Sequence, residues 1–232
     1  RHSRQNLRFW REWRGLLIFL VVMVLFRSAI ADWNQVPTGS MKPTILDGDR
    51  VIVNKLAYGL RIPLSAIRVM TWNQPARGEI VTFFSPETEE LLIKRVIGIP
   101  GDRIALINNQ LEINGQMADY AMLAEDQLPA LNAYERHRHR FYLETIKASV
   151  RSVMLRPSPP NAHNNFGPVS VPKGQYLMLG DNRDNSKDSR YIGLIGADRI
   201  TGRAHTIAFS VDYEDYYLPR GDRFFQTLAQ AD

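Results

Sequence analysis

The chain has 232 residues, enough for one large domain or two small ones, and it contains no cysteine, which excludes disulfides and thiolate metal ligands. Its formal net charge of +5 arises wholly at the N-terminus, where Arg1, Arg4, Arg8, Arg11 and Arg14 face only Glu12 and Arg27 adds one more charge. Residues 32–232 are neutral overall, so the basicity argues against a nucleic-acid-binding face and for a membrane orientation signal.

From Gly15 to Phe26 the chain is uncharged and apolar, with Phe9, Trp10 and Trp13 just before it as interface anchors. This run is shorter than the roughly 20 residues that span a bilayer, and Arg27 interrupts it unless its side chain snorkels. Two readings stay open: a cleaved secretory signal ending in the small-x-small site Ala29-Ile30-Ala31, and an uncleaved anchor continued by Ser28–Ala31. A buried core helix is disfavoured by the preceding arginines. Held inside by those arginines, the N-terminus would leave residues 32–232 on the outer face.

Next comes Val36-Pro37-Thr38-Gly39-Ser40-Met41-Lys42-Pro43-Thr44, in which two prolines and a glycine bracket one serine. The stretch is stiff, and Gly39 allows close backbone approach, so it can present Ser40 or serve as a plain turn. Short strands follow between turn signals: Arg50–Lys55, Glu79–Phe84, Leu91–Ile97, Arg103–Ile107 and Leu111–Asn114, the last two joined across Asn108-Asn109. Residues 118–170 change character and read as an insertion, with a short helix around Tyr134–Val150 and a Pro/Asn-rich loop, Pro157–Pro168. Strand-like sequence resumes at Gln175–Leu179 and Thr201–Val211. The expected fold is mainly β: an antiparallel catalytic domain over 32–117 and 171–212, an inserted smaller α/β subdomain over 118–170, a tail over 213–232, and a basic tail with one transmembrane helix over 1–31.

A serine nucleophile needs a base, and the five histidines offer none. His2 precedes the apolar run, and His137 and His139 lie in the charge run Glu135–Arg140. No Gly-x-Ser-x-Gly or His-Glu-x-x-His signature is present. A lysine base remains, provided burial lowers its pKa from about 10.4. Lys94 shares a strand face with Leu92 and Val96, which suits that requirement, although an ordinary strand lysine would look the same. Arg95 on the opposite face cannot deprotonate. Lys42, nearer to Ser40, is expected in an exposed turn where nothing lowers its pKa.

Three segments together resemble the bacterial type I signal peptidases: Pro37–Thr44, then Lys94-Arg95-Val96-Ile97-Gly98-Ile99-Pro100-Gly101-Asp102, then Gly180-Asp181-Asn182-Arg183-Asp184-Asn185-Ser186-Lys187-Asp188-Ser189-Arg190. A weaker fourth match is Arg77–Phe83, and the region 118–170 carries no family signature. The resemblance implies a membrane-bound serine endopeptidase that removes signal peptides from exported preproteins through an acyl-enzyme, with Ser40 as nucleophile and Lys94 as general base. It further implies an oxyanion hole from the Ser40 N–H and the Thr38 hydroxyl, Ser186 orienting the lysine, and Asp188 with Arg190 supporting the site.

Shallow pockets for small side chains at positions −1 and −3 are expected from Val36, Met41, Ile45 and Ile93, residues that core packing would use equally well. No cofactor, metal or nucleic acid is implied; the expected partners are signal peptides, membrane lipid and the secretion translocon. The expected location is the bacterial inner membrane, single-pass, with the N-terminus cytoplasmic and the catalytic domain periplasmic. A specialised processing peptidase of the same family and a catalytically inactive membrane-anchored binding module stay open as alternatives. A self-cleaving repressor-type protease is disfavoured because no DNA-binding region precedes Ser40.

Overall fold

The computed structural model describes residues 13–23, 31–35, 39–62, 65, 67–129, 131–146, 149–157 and 164–228. Residues 13–23 form helix α1, whose large apolar side chains are exposed; among the described residues no helix is long and apolar enough to cross a membrane. The rest of the expected anchor, residues 1–12 and 24–30, lies outside the described residues, and Ala31 already belongs to a strand.

Beyond α1 the chain is mainly antiparallel β, as the turn spacing predicts. In chain order the strands are β1 (Ala31–Gln35), β2 (Asp49–Asn54), β3 (Gly59–Arg61), β4 (Arg68–Thr71), β5 (Ile80–Phe84), β6 (Leu91–Gly98), β7 (Arg103–Ile107), β8 (Gln110–Ile113) and β9 (Gln116–Met117). There follow β10 (Asp119–Met122), helix α2 (Ala133–Arg138), β11 (Arg140–Ile146), β12 (Ser149–Leu155), β13 (Phe166–Ser170), β14 (Gln175–Leu179), helix α3 (Ser189–Ile192), β15 (Ile195–Gly196), β16 (Ile200–Asp212) and β17 (Leu218–Pro219).

The main sheet runs β1-β2-β16-β5-β6-β14-β15, with β17 also paired to β16. Period-2 alternation gives it two apolar faces. Ile80 and Ile93 pack with Met41, Ile45, Val51 and Ile207 on one side. Val81, Phe83 and Val96 pack with Tyr176 and Met178 on the other. A four-stranded sheet, β13-β7-β8-β9, adjoins it through a third cluster containing Ile97, Ile104, Leu111 and Leu177. Asn108 and Asn109 both adopt positive φ, 52° and 64°, as the tight hairpin between β7 and β8 requires.

Residues 118–170 depart most from the sequence expectation. The helix stops at Arg138, and Arg140–Ile146 and Ser149–Leu155 are paired strands in the sheet β10-β11-β12. Asn132 caps the helix by accepting the Glu135 N–H at 2.8 Å, but beyond His139 the β-branched Thr145, Ile146, Val150 and Val153 favour the pleated ladder. The region is therefore a β layer carrying one short helix. It also shares its core with the rest: Ala118 and Ile146 lie in the same cluster as Leu177 and Leu179, and β13 pairs with β7. Residues 213–228 lie against the main sheet as well, with the Ile207 N–H bonded to the Gln226 carbonyl and the Leu228 N–H to the His205 carbonyl.

Candidate active site

Ser40 sits in a single 3-10 turn, Gly39–Met41, where the Lys42 N–H returns to the Gly39 carbonyl at 3.2 Å. Lys94 stands in the middle of β6, where Val81 of β5 is its cross-strand partner. The two side chains meet: Lys94 Nζ lies 2.7 Å from Ser40 Oγ and 2.9 Å from the Ile93 carbonyl oxygen. Lys94 is only 2% exposed. Burial pulls its pKa down from the ordinary lysine value to about 8, against the opposing pull of Asp188 and Asp181. A charged Lys94 donates to the serine oxygen; a neutral one can accept the serine proton across the same contact.

Lys42 is buried rather than exposed, which corrects the sequence expectation. The hydrogen bonds that Nζ donates to Asp47 at 2.6 Å and Glu135 at 2.5 Å account for it. Burial works against its charge, but the two carboxylates outweigh it and hold the pKa above the ordinary value. Lys42 is thus the locked cation of the turn, and Lys94 the titratable one.

The segment Gly180–Arg190 wraps the other side of Ser40. The Asn182 N–H donates to the Ser40 carbonyl at 3.0 Å, and Asn182 Nδ2 to the Gly39 carbonyl at 3.1 Å. A Cβ on Gly180 would fall 2.3 Å from Ser186 Oγ and 2.5 Å from the Ser40 carbonyl oxygen, so only glycine fits between them. The Ser186 hydroxyl is buried and has no hydrogen-bond partner among the described residues. Asp188, fully buried, accepts the Gly180 N–H at 3.0 Å and two guanidinium bonds of 2.8 Å from Arg190.

Asp181 was not among the residues the sequence singles out. It receives a bidentate pair from Arg95, at 2.8 and 2.6 Å, and the Thr44 hydroxyl at 2.6 Å. Arg95, reversed in face from Lys94, thereby ties β6 to both the serine turn and the Gly180 segment. Its signal in the sequence was an arginine flanked by apolar residues on a strand, which calls for a buried carboxylate.

Val36 and Thr38 lie outside the described residues. Met41, Ile45 and Ile93 gather on one face of the main sheet in the cluster that Leu228 also joins. No group of histidine and carboxylate side chains able to hold a metal occurs among the described residues.

A family described as "Signal peptidase, peptidase S26" matches residues 10–209. The chain is 33% identical to a signal peptidase I of Pseudomonas fluorescens, over 82% of this chain and 69% of that protein. It is 29% identical to a signal peptidase I of Buchnera aphidicola subsp. Schizaphis graminum (strain Sg), over 93% and 80%. A signal peptidase I of Rickettsia typhi (strain ATCC VR-144 / Wilmington) is 32% identical, over 90% and 83%.

Proposed function

The chain belongs to the signal peptidase family, peptidase S26, and from that premise we propose that it is a membrane-bound serine endopeptidase cutting signal peptides from exported preproteins after small-x-small sites. The observation that carries this reading is the 2.7 Å contact between Ser40 Oγ and a buried Lys94 whose pKa is lowered to about 8. Neutral Lys94 takes the hydroxyl proton as Ser40 Oγ attacks the scissile carbonyl, then delivers it to the leaving amine. Water, activated by the same amine, hydrolyses the acyl-enzyme. The Ser40 N–H and the Thr38 hydroxyl stabilise the oxyanion.

Ser186 steadies Lys94; its buried hydroxyl, short of a partner, supports a role that a bound substrate or a small rotation of the lysine would complete. Asp188 and Arg190 hold Gly180 in place. Val36, Met41, Ile45 and Ile93 select small side chains and crowd out large ones; the clustering of the last three on one face of the main sheet supports this.

Membrane attachment through residues 1–31 is supported by the arginines before α1 and its exposed apolar surface. The β3–β4 hairpin adds a second apolar face, with Ile62, Ile67, Val69, Met70 and Trp72 exposed. With the arginines on the cytoplasmic side, the catalytic domain lies on the periplasmic face, within reach of the translocon.

The test is cleavage of a preprotein bearing Ala-x-Ala. Ser40→Ala and Lys94→Ala each abolish the reaction, and Ser186→Ala slows it by about a hundredfold. Normal cleavage by either of the first two variants would overturn the pairing. Binding of the preprotein without turnover by the wild type would favour the inactive binding module instead.

A further inference from the structure

None of the three motifs that carry the family resemblance lies in residues 118–170, yet one side chain of that region reaches the segment that sets Ser40. Glu144, on β11, is fully buried. Its carboxylate accepts Arg183 Nη2 at 2.7 Å and Arg151 Nε at 2.6 Å, and the Tyr120 hydroxyl also donates to it. Arg183 is itself fully buried, and Glu144 is the carboxylate that neutralises it. An ion buried so deeply stays in place only while its counter-ion does, since an unpaired charge in the interior is costly.

The backbone repeats the connection. The Met154 N–H donates to the Asp181 carbonyl at 2.8 Å and the Arg183 N–H returns to the Met154 carbonyl at 3.1 Å, making a parallel bridge between β12 and Asn182. Asn182 in turn makes the two bonds, at 3.0 and 3.1 Å, to the Ser40 and Gly39 carbonyls. A continuous chain of contacts therefore runs from Glu144 through Arg183 and Asn182 to the nucleophile's own peptide unit.

We propose that Glu144 is a positioning residue for Ser40: by holding Arg183 it fixes residues 181–183, and with them the two Asn182 hydrogen bonds that aim the serine turn at Lys94. The inserted β layer is then the platform of the active site. Loss of the carboxylate shifts the turn, and a displacement of about 1 Å between nucleophile and base is enough to cost a hundredfold in rate. This inference rests on the reading of Ser40 and Lys94 as nucleophile and base.

Its test uses the full chain in detergent and an Ala-x-Ala preprotein, with wild type and Ser40→Ala assayed alongside. Glu144→Gln keeps the size of the side chain and removes its charge; kcat is expected to fall at least about tenfold with KM within about twofold. The acidic limb of kcat/KM should also move up toward the ordinary lysine value as water enters around Lys94. Ile146→Ala, in the same strand and buried in the apolar cluster of Ile97 and Leu179 without a polar group to bond Arg183, supplies the control: it lowers Tm while keeping kcat.

A folded Glu144→Gln with unchanged kcat overturns the proposal. So does a fall in kcat that merely tracks Tm, as read from Ile146→Ala. Should Glu144→Gln fail to fold, Tyr120→Phe carries the test by weakening the hold on the same carboxylate; a smaller fall in kcat at unchanged KM is expected, and no fall overturns the idea. Cleavage by Ser40→Ala, or none by the wild type, would instead remove the functional reading beneath it.

Discussion

Lys94 concentrates the energetic cost of the site in one side chain. Its pKa is depressed in the folded state, so between about 8 and 10.5 the unfolded chain binds the extra proton, and folding stability rises with pH across that window. Below about pH 8 the folded protein carries a penalty of roughly 3 kcal/mol for keeping a buried ammonium. Lys94→Met should therefore abolish cleavage yet raise Tm at pH 7, with the gain fading toward pH 10.5; a Tm unchanged at pH 7 would contradict the burial cost. For the active enzyme, kcat/KM should rise with pH through a limb near 8, since only the neutral amine accepts the serine proton. A profile flat from pH 6 to 9 would speak against Lys94 as base. Neither Ser40 nor Lys94 was decided by its local pattern, because a turn serine and a strand lysine look the same whether they react or not. Their pairing across 54 positions is a tertiary fact, and only the joint presence of the three motifs stood for it in the sequence.

Among the elements, the strands bordering the site were the most legible. Gln175–Leu179 and Arg103–Ile107 fall on the expected residues, and Leu91–Ile97 is lengthened only by Gly98. Their apolar alternation and flanking Gly, Pro and Asn turns are local properties, which a sequence displays directly. The layer β10-β11-β12 was not legible, because its central strand carries Glu144 where alternation would place an apolar residue, and the carboxylate's partner Arg183 lies 39 positions away. The Arg95–Asp181 pair escaped notice for the same reason, its members being 86 residues apart. It also ties β6 to the Gly180 segment. Asp181→Asn leaves Arg95 buried without its counter-charge, and should lower stability by about 3–5 kcal/mol in urea unfolding. A change below about 1 kcal/mol would mean that water reaches the pair in solution.

At the scale of the whole molecule, three apolar clusters are closed by segments distant in sequence. Leu228, near the end of the described chain, joins Met41, Ile45 and Ile93 beside the serine turn. Arg223 reaches back to the Asp49 carboxylate and the Thr44 carbonyl. Residues expected to trail from the fold thus pack into the apolar cluster that holds Met41, next to Ser40. Leu228→Ala should lower Tm by about 5–10 °C, measured by calorimetry. Many elements cross at the stretch from Gly180 to Arg190. Asp181 answers to β6, Asn182 to the serine turn, Arg183 to β11, Asp184 to Asn109 and the Arg156 N–H, Asp188 to Arg190, and Ser189 to the Met178 N–H. Asn185 and Lys187 alone in that run point to solvent. Such a stretch has almost no freedom to drift: when all eleven positions are randomised and selected for growth or cleavage, variation should survive at 185 and 187 and vanish at nearly every other site.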